Sequence, residues 1–200
     1  MEHLIEVFDD TIPIKQRHYP MSPIKKKYAY DEIDRMLKLD VIEESNSSWS
    51  SPIVLVEKPG KKRLCVDMRK LNESTKRDAY PTQHVEGILS RLRETYFISG
   101  IDLKDAFWQI PLESSSREKT AFTVPGRPLY QFKVMPFGLC NASQRLCRLM
   151  DKVISSRLRE HVFVYIDDLL ICSPDFDSHL VHLAEVAECL AGAGLTINLE

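Results

Sequence analysis

What the sequence lacks narrows the class of protein before any motif is considered. Nowhere in the 200 residues does an apolar run approach the length that a membrane helix needs, so no membrane partner is expected. The N-terminus lacks the pattern of a secretory signal peptide, and neither an internal repeat nor a low-complexity tract is present. A chain of this length suits one folded domain or two small interleaved subdomains.

Cysteines are few, and their number is odd. No C-x-x-C pair occurs, and most of the five cysteines lie in apolar stretches: Cys65, Cys140, Cys147, Cys172 and Cys189. This usage predicts reduced, buried thiols in an intracellular protein and not a disulfide framework.

Excess charge of one sign is also missing, since the net charge is −2. This balance argues against a generic nucleic-acid binder. The basic residues are nevertheless uneven, because eight of them fall in one segment: Lys58, Lys61, Lys62, Arg63, Arg69, Lys70, Lys76 and Arg77. Such a local patch matters more for nucleic-acid contact than the total charge does.

Hydrophobic spacing predicts alternating helices and strands. Ser22 and Pro23 are typical of a helix start, and apolar residues then recur at helical spacing to about Leu39. The other predicted elements are strands at 52–56 and 64–66 around a Pro59-Gly60 turn, a helix at 85–93, a strand at 96–102, a hairpin of 119–124 and 129–134 with a Pro125-Gly126 turn, the longest helix at 141–159, a helix at 177–191 and a strand from Leu195. This order predicts an α+β fold with an antiparallel sheet.

Asp167 and Asp168 stand side by side between two apolar runs that are predicted strands. Two carboxylates at a hairpin tip repel each other unless a cation neutralises them, and carboxylate oxygens favour hard ions such as Mg²⁺. The alternative is an ordinary Asp-Asp turn in a solvated hairpin, because Asp is common in turns.

Asp102 is a third carboxylate, at the end of another apolar strand. If that strand pairs beside the hairpin, Asp102 and Asp167 face each other. Two metal ions about 4 Å apart could then activate a 3′-hydroxyl and stabilise a leaving pyrophosphate. In the alternative interpretation, Asp102 and Asp105 are a helix N-cap and its neighbour.

His179, His182 and Glu185 share one face of a predicted helix. This spacing could suggest a metal site, but no fourth ligand is near in sequence. We therefore expect a solvated helix face at this position.

Ten stretches, in order and with similar spacing, resemble the reverse transcriptases of gypsy-class long-terminal-repeat retrotransposons. They cover nearly the whole chain and are V-I-E-E-S-N-S-S-W-S-S-P-I-V-L-V (41–56), K-P-G (58–60), R-L-C-V-D-M-R-K-L-N (63–72), D-A-Y-P (78–81), I-D-L-K-D-A-F-W-Q-I-P-L (101–112), K-T-A-F (119–122), V-M-P-F-G-L-C-N-A (134–142), R-L-M-D (148–151), V-Y-I-D-D-L-L-I (164–171) and A-G-L-T-I-N (193–198). The resemblance implies a right-hand polymerase fold, with an antiparallel palm sheet backed by helices and a fingers subdomain. It places the fingers at 1–76 and 110–141 and the palm at 77–109 and 142–200.

The resemblance also implies the site residues. Asp102, Asp167 and Asp168 would be the catalytic carboxylates for two Mg²⁺ ions, or Mn²⁺, with the Leu103 backbone as a further ligand. Arg63 would bind the triphosphate through its planar fork. Charge would be added there by Lys58, Lys61 and Lys62, for which a solvated hairpin is the alternative.

Further roles follow by position in the matching motifs. Asp105 and Ala106 would meet the incoming nucleotide. Phe107 would stack under the deoxyribose and exclude a 2′-hydroxyl, although an ordinary core aromatic is the alternative. The nascent base pair and the primer end would be contacted by Phe137, Gly138 and Tyr165.

The implied function is RNA-directed DNA polymerisation on an RNA or DNA template with a primer and deoxynucleoside triphosphates, in a cytoplasmic retroelement particle. One departure is S-Q-R-L-C at 143–147, where the family has P-A-T-F-Q. The sequence also ends before the family's thumb, connection and ribonuclease H domains, which could act in cis, and we expect the 200 residues alone to polymerise poorly. The alternatives are an inactive remnant of the same fold and an RNA-templated RNA polymerase, which Phe107 disfavours.

Overall fold

The computed structural model describes residues 1–58, 61–81 and 95–198. It forms two compact units, Met1–Arg77 with Ile110–Ala142 and Asp78–Gln109 with Ser143–Glu200. The predicted fingers and palm boundaries differ from these by one residue, and the assignment of the units to fingers and palm stays a prediction. The predicted turn at Pro59-Gly60 and the predicted helix at 85–93 lie outside the described residues. Within the described part, no helix has the length and apolarity needed to cross a membrane.

The first unit contains a five-stranded sheet in the order β1-β6-β5-β2-β3. Its strands are β1 Ile42–Glu44, β2 Ser51–Lys58, β3 Lys61–Val66, β5 Phe122–Thr123 and β6 Leu129–Phe132. Both predicted hairpins are confirmed as antiparallel pairs, β2 with β3 and β5 with β6. The first strand of the second hairpin starts later than predicted, because Glu118–Thr120 forms a 3-10 turn, and the second strand ends at Phe132. One pair, β2 with β5, is parallel.

Helix α1, Pro23–Lys38, begins where the sequence predicts. Ser22 is the N-cap, and its hydroxyl accepts a hydrogen bond from the Lys25 amide at 3.4 Å. The predicted turn at Pro125-Gly126 is confirmed as well. Gly126 has a φ of 80°, and a Cβ there would lie 2.7 Å from the Tyr30 hydroxyl, so glycine is required. The same unit contains the short helices α2, Arg69–Glu73, and α3, Ser114–Arg117.

The second unit is built on a three-stranded antiparallel sheet in the order β4-β8-β7. Its strands are β4 Phe97–Asp102, β7 Val162–Tyr165 and β8 Asp168–Ser173. Two longer helices accompany this sheet, α4 Ala142–Val153 and α5 Phe176–Gly192. The buried residues Leu169 and Ile171 of β8, with Val186 and Leu190 of α5, form part of the core.

Three predictions for this unit are wrong: the length of α4, the presence of a last strand, and the solvent exposure of the helix face that carries His179. Helix α4 starts at Ala142 but ends at Val153, and a 3-10 turn, Leu158–Glu160, follows in place of its predicted last turns. The final segment makes a single antiparallel bridge, Ile197 with Leu103, and no strand within the described residues. The helix face of His179 is not solvated, because this ring is buried and lies 2.8 Å from the Ser99 hydroxyl and 3.0 Å from that of Ser173.

The D-A-Y-P motif is tied to α4 by one cluster of polar side chains. Arg148 donates two hydrogen bonds to Asp78, at 3.1 and 2.7 Å, and its guanidinium lies 4.2 Å from the centre of the Tyr80 ring. The Tyr80 hydroxyl in turn donates to Asp151. These contacts fix the entry of the chain into the second unit, and the Arg148 hydrogen bonds lower the pKa of Asp78.

Asp67 links three parts of the first unit. Its carboxylate accepts hydrogen bonds from the Arg69 guanidinium at 2.8 and 2.7 Å, and from the Tyr19 hydroxyl at 3.1 Å. The Arg69 hydrogen bonds chiefly lower the pKa of Asp67 from 3.8 to about 2. Because the folded-state pKa is depressed, this stabilisation is complete above the unfolded pKa and is lost as the pH falls through the folded one.

We predict that Asp67→Asn lowers the free energy of unfolding by about 1–2 kcal/mol at pH 7. The loss is smaller than the full pKa shift implies, because water screens the exposed guanidinium of Arg69. The difference from the unsubstituted chain should shrink between pH 4 and pH 2. Urea unfolding at several pH values measures it. The control is Asp9→Asn, since Asp9 is 96% exposed in its ion pair with Lys76. A pH-independent difference for Asp67→Asn would contradict the prediction.

Candidate active site

The strand register of the second unit brings two of the predicted carboxylates together. Strand β4 pairs with β8 so that Asp102 lies directly opposite Asp168. Directly opposite residues of an antiparallel pair project from the same face, with Cβ atoms about 5 Å apart. The expectation that Asp102 faces Asp167 is therefore wrong by one position. Asp167 precedes β8 and has no partner in the β4–β8 ladder, so the register fixes only the Asp102–Asp168 pair.

Asp167 belongs to the turn that joins β7 to β8. Its carbonyl oxygen accepts a hydrogen bond from the Leu103 amide at 3.1 Å, so the turn is attached to the end of β4. Two residues beside the carboxylates have left-handed backbone, Ile166 with a φ of 57° and Asp105 with a φ of 46°. A β-branched residue such as Ile166 is rarely found there, and the conformation costs about 1–2 kcal/mol. Strain of this kind often accompanies functional sites.

The carboxylates influence one another electrostatically. The pKa of Asp168 is raised by partial burial of its carboxyl, then by the negative charges of Asp167 and Asp102. Asp168 is exposed as a residue, so water screens this repulsion and its effect on stability is small. The direction still matters, because a nearby cation would favour the ionised form.

The donor chemistry fits a hard divalent cation, since the converging groups are carboxylates. Within the described ranges, however, no group of three His, Cys, Asp or Glu side chains is arranged to hold a metal ion. The structure therefore shows carboxylates that a cation could draw together and not a preformed cage. The residues that would hold such an ion are Asp102, Asp167 and Asp168.

The neighbouring predicted residues lie in the same unit. Leu103 is buried, and Asp105 forms the turn that precedes the 3-10 segment Ala106–Gln109. Phe107 is 8% exposed, which agrees with a core aromatic and leaves the sugar contact a prediction. Tyr165, at the end of β7, is 44% exposed.

The remaining predicted residues belong to the first unit. Arg63 is an exposed residue of β3, and Lys62 beside it lies 3.9 Å from Glu57. The side chains of Lys58 and Lys61 lie outside what the structure describes. Phe137 is 42% exposed, and Gly138 has a φ of 94° with its carbonyl accepting a hydrogen bond from the Asn72 side chain at 2.7 Å.

Two residues that were not identified from the sequence form hydrogen bonds at Asp102 and in the segments next to it. The Asn198 side chain donates to the Asp102 carboxylate at 3.1 Å, and Gln109 bonds to the backbone of Lys104 and Thr196. Both residues lie inside matching motifs, I-D-L-K-D-A-F-W-Q and A-G-L-T-I-N, which is the only signal that the sequence offered. Their contacts join positions that are far apart in the chain.

A basic groove of the first unit was also missed. It has a volume of about 480 Å³ and includes Lys15, Arg17 and His18 with Ser48 and Trp49. None of its described lining residues is acidic. The signal was the run Lys15-Gln16-Arg17-His18, which lies before the first predicted helix.

Comparisons with known proteins identify the family of the chain. Residues 55–200 match the family model described as "Reverse transcriptase (RNA-dependent DNA polymerase)". The chain is 36% identical to the retrovirus-related Pol polyprotein from transposon gypsy of Drosophila melanogaster, over 96% of this chain and 19% of that protein. It is 30% identical to the transposon Tf2-3 polyprotein of Schizosaccharomyces pombe, over 99% of this chain and 15% of that protein. The chain thus spans less than a fifth of these relatives.

Solved structures give the same result for the fold. The foamy viral protease-reverse transcriptase in complex with RNA/DNA hybrid superimposes with a TM-score of 0.86 at 28% identity, over 95% of this chain and 25% of that one. The native prototype foamy virus protease-reverse transcriptase gives a TM-score of 0.84 at 30% identity, over 96% of this chain and 26% of that one. With its α+β fold, paired carboxylates and matching sequence, the chain belongs to the reverse transcriptase family, as a domain of the kind found in retrotransposon polyproteins.

Proposed function

We propose that this chain carries out template-directed addition of deoxynucleotides to a primer 3′-end, with two Mg²⁺ ions held by Asp102, Asp167 and Asp168. The observation that carries the proposal is the β4–β8 register, which puts Asp102 opposite Asp168 beside the Asp167 turn. Membership of the reverse transcriptase family supports the reaction class. Mn²⁺ would serve in place of Mg²⁺, because both prefer oxygen ligands.

The residues of this chain contribute placement and charge. When bound, the divalent ions activate the primer hydroxyl and neutralise the leaving pyrophosphate. Asp102 and Asp168 supply carboxylate oxygens from one sheet face, and the hydrogen bond from Leu103 to Asp167 holds the turn against β4. Because phosphoryl transfer needs mainly positioning and charge neutralisation, carboxylates held by strand pairing suit this task.

Two surfaces of the first unit support binding of the anionic substrates. Arg63 is exposed on β3, where its planar fork suits the triphosphate oxygens. The basic groove of Lys15, Arg17 and His18 offers charge for phosphates of a template or primer strand. Foamy viral relatives have been solved with RNA/DNA hybrid and with double-stranded DNA. We propose the same nucleic-acid partners here, in a cytoplasmic particle with the other polyprotein domains.

We predict that Asp167→Asn, with this chain replacing the matched segment of the gypsy polyprotein, lowers primer extension by at least about 100-fold. Loss of a metal-binding carboxylate misplaces the reacting groups, and small misplacements have effects of this size. The assay measures Mg²⁺-dependent deoxynucleotide incorporation on a primed RNA template. Asp177→Asn is the matched control, since Asp177 is an exposed residue in the first turn of α5.

The outcomes separate the candidate functions. Full activity of Asp167→Asn would exclude the proposed carboxylate role. An inactive unsubstituted chimera that folds and binds the primed template would favour the remnant of the same fold over the polymerase.

Phe107 allows a second prediction, on sugar selection. In the same chimera, Phe107→Val should raise the ratio of kcat/KM for a ribonucleotide to that for its deoxynucleotide by about 10-fold or more, because the smaller side chain leaves room for a 2′-hydroxyl. Phe107→Tyr keeps the ring and is the control. If the ratio does not change, while Phe107→Val only lowers stability, Phe107 is a core aromatic.

A further inference from the structure

The segment 195–198 lies along the end of β4 on the side away from β8. The Asn198 amide donates to the Asp102 carbonyl at 2.8 Å, and the Lys104 amide donates to the Thr196 carbonyl at 3.0 Å. The antiparallel bridge between Leu103 and Ile197 sets the register. Asp102 therefore lies between two antiparallel neighbours, with Asp168 opposite on one side and Asn198 opposite on the other.

This register places the side chains of Asp168, Asp102 and Asn198 in a row on one face. The Asn198 side-chain amide donates to Oδ2 of Asp102 at 3.1 Å. The nitrogen must face the carboxylate, because an ionised carboxylate only accepts hydrogen bonds and would repel the amide oxygen. The bond orients the Asp102 side chain through Oδ2.

Gln109 holds the segment that carries Asn198. Its side-chain amide donates to the carbonyl oxygens of Lys104 and Thr196, at 2.5 and 2.9 Å, and its oxygen accepts from the Thr196 amide at 2.7 Å. One side chain thus joins the turn after Asp102 to the backbone two residues before Asn198. The position of Asn198 depends on these three bonds in addition to its own.

We infer that Asn198 is a positioning residue for Asp102, kept in place by Gln109, and that it raises the affinity of the site for divalent cations. The inference rests on the proposed function, because it needs Asp102 to be a metal ligand. Groups that orient a ligating carboxylate typically change metal affinity by 10- to 100-fold when they are lost. Both residues act without touching the cation.

The test measures Mn²⁺ binding to the whole 200-residue chain by electron paramagnetic resonance, which reports free Mn²⁺ directly. Asn198→Ala should weaken binding about 10-fold or more, and so should the isosteric Asn198→Leu. Gln109→Ala should act in the same direction. The double variant Asn198→Ala/Gln109→Ala should bind Mn²⁺ with nearly the same affinity as whichever single variant binds it less tightly. The two effects do not add, because both residues act through Asp102.

The matched control is Asn141→Ala. The Asn141 side chain also donates to an oxygen, the Lys76 carbonyl at 2.8 Å, but in the first unit. Its Mn²⁺ affinity should equal that of the unsubstituted chain. Far-UV circular dichroism reports folding of each variant, and either Asn198 substitution decides the test if it folds. If neither Asn198 variant folds, the inference is overturned, because the inferred role of the Asn198 side chain is to orient Asp102 and not to support folding.

Asp102→Asn distinguishes failure of the metal site from failure of the positioning role of Asn198. If the unsubstituted chain does not bind Mn²⁺, or if Asp102→Asn binds it equally well, the proposed metal site fails and the inference fails with it. If Asp102→Asn abolishes binding while both folded Asn198 variants bind normally, only the positioning role of Asn198 is overturned.

Discussion

Asp102 and Asp168 lie opposite each other on adjacent strands, and ionised carboxylates at that separation repel each other. The fold keeps them there through the hydrogen-bonded ladder of β4 and β8 and through the bond that attaches the Asp167 turn to Leu103. Partial burial and the two neighbouring charges raise the pKa of Asp168, so the protein alone does not neutralise the cluster. A divalent cation is the simplest partner for this arrangement.

Hydrogen bonds and special backbone angles lie on both sides of the carboxylates. Left-handed backbone at Ile166 and Asp105 fixes the turns beside them, while Asn198 and Gln109 attach a distant part of the chain to the end of β4. A site whose chemistry depends on positioning benefits from such support, because loosely held ligands lose affinity and rate. The apolar core of β8 and α5 supplies the stability that offsets the local strain.

The first unit has a different character. It presents exposed cationic side chains, Arg63 on β3 of the five-stranded sheet and Lys15 with Arg17 in the basic groove. The whole chain is slightly acidic, so its capacity for nucleic-acid contact is local. Asp67 shows how the same unit uses charge for stability, since it joins Arg69 and Tyr19 through a carboxylate with a depressed pKa.

The sequence by itself determined the family, the α+β class, most elements and the identities of the carboxylates, because motifs and local hydrophobic spacing are properties of the chain. Local spacing did not show that α4 ends at Val153, or that the last predicted strand makes only the Leu103–Ile197 bridge within the described residues. Only the tertiary structure decided that Asp168, and not Asp167, lies opposite Asp102, since register depends on pairing between strands. The burial of His179 and the contacts of Asn198 and Gln109 likewise join residues far apart in sequence, which no local pattern encodes.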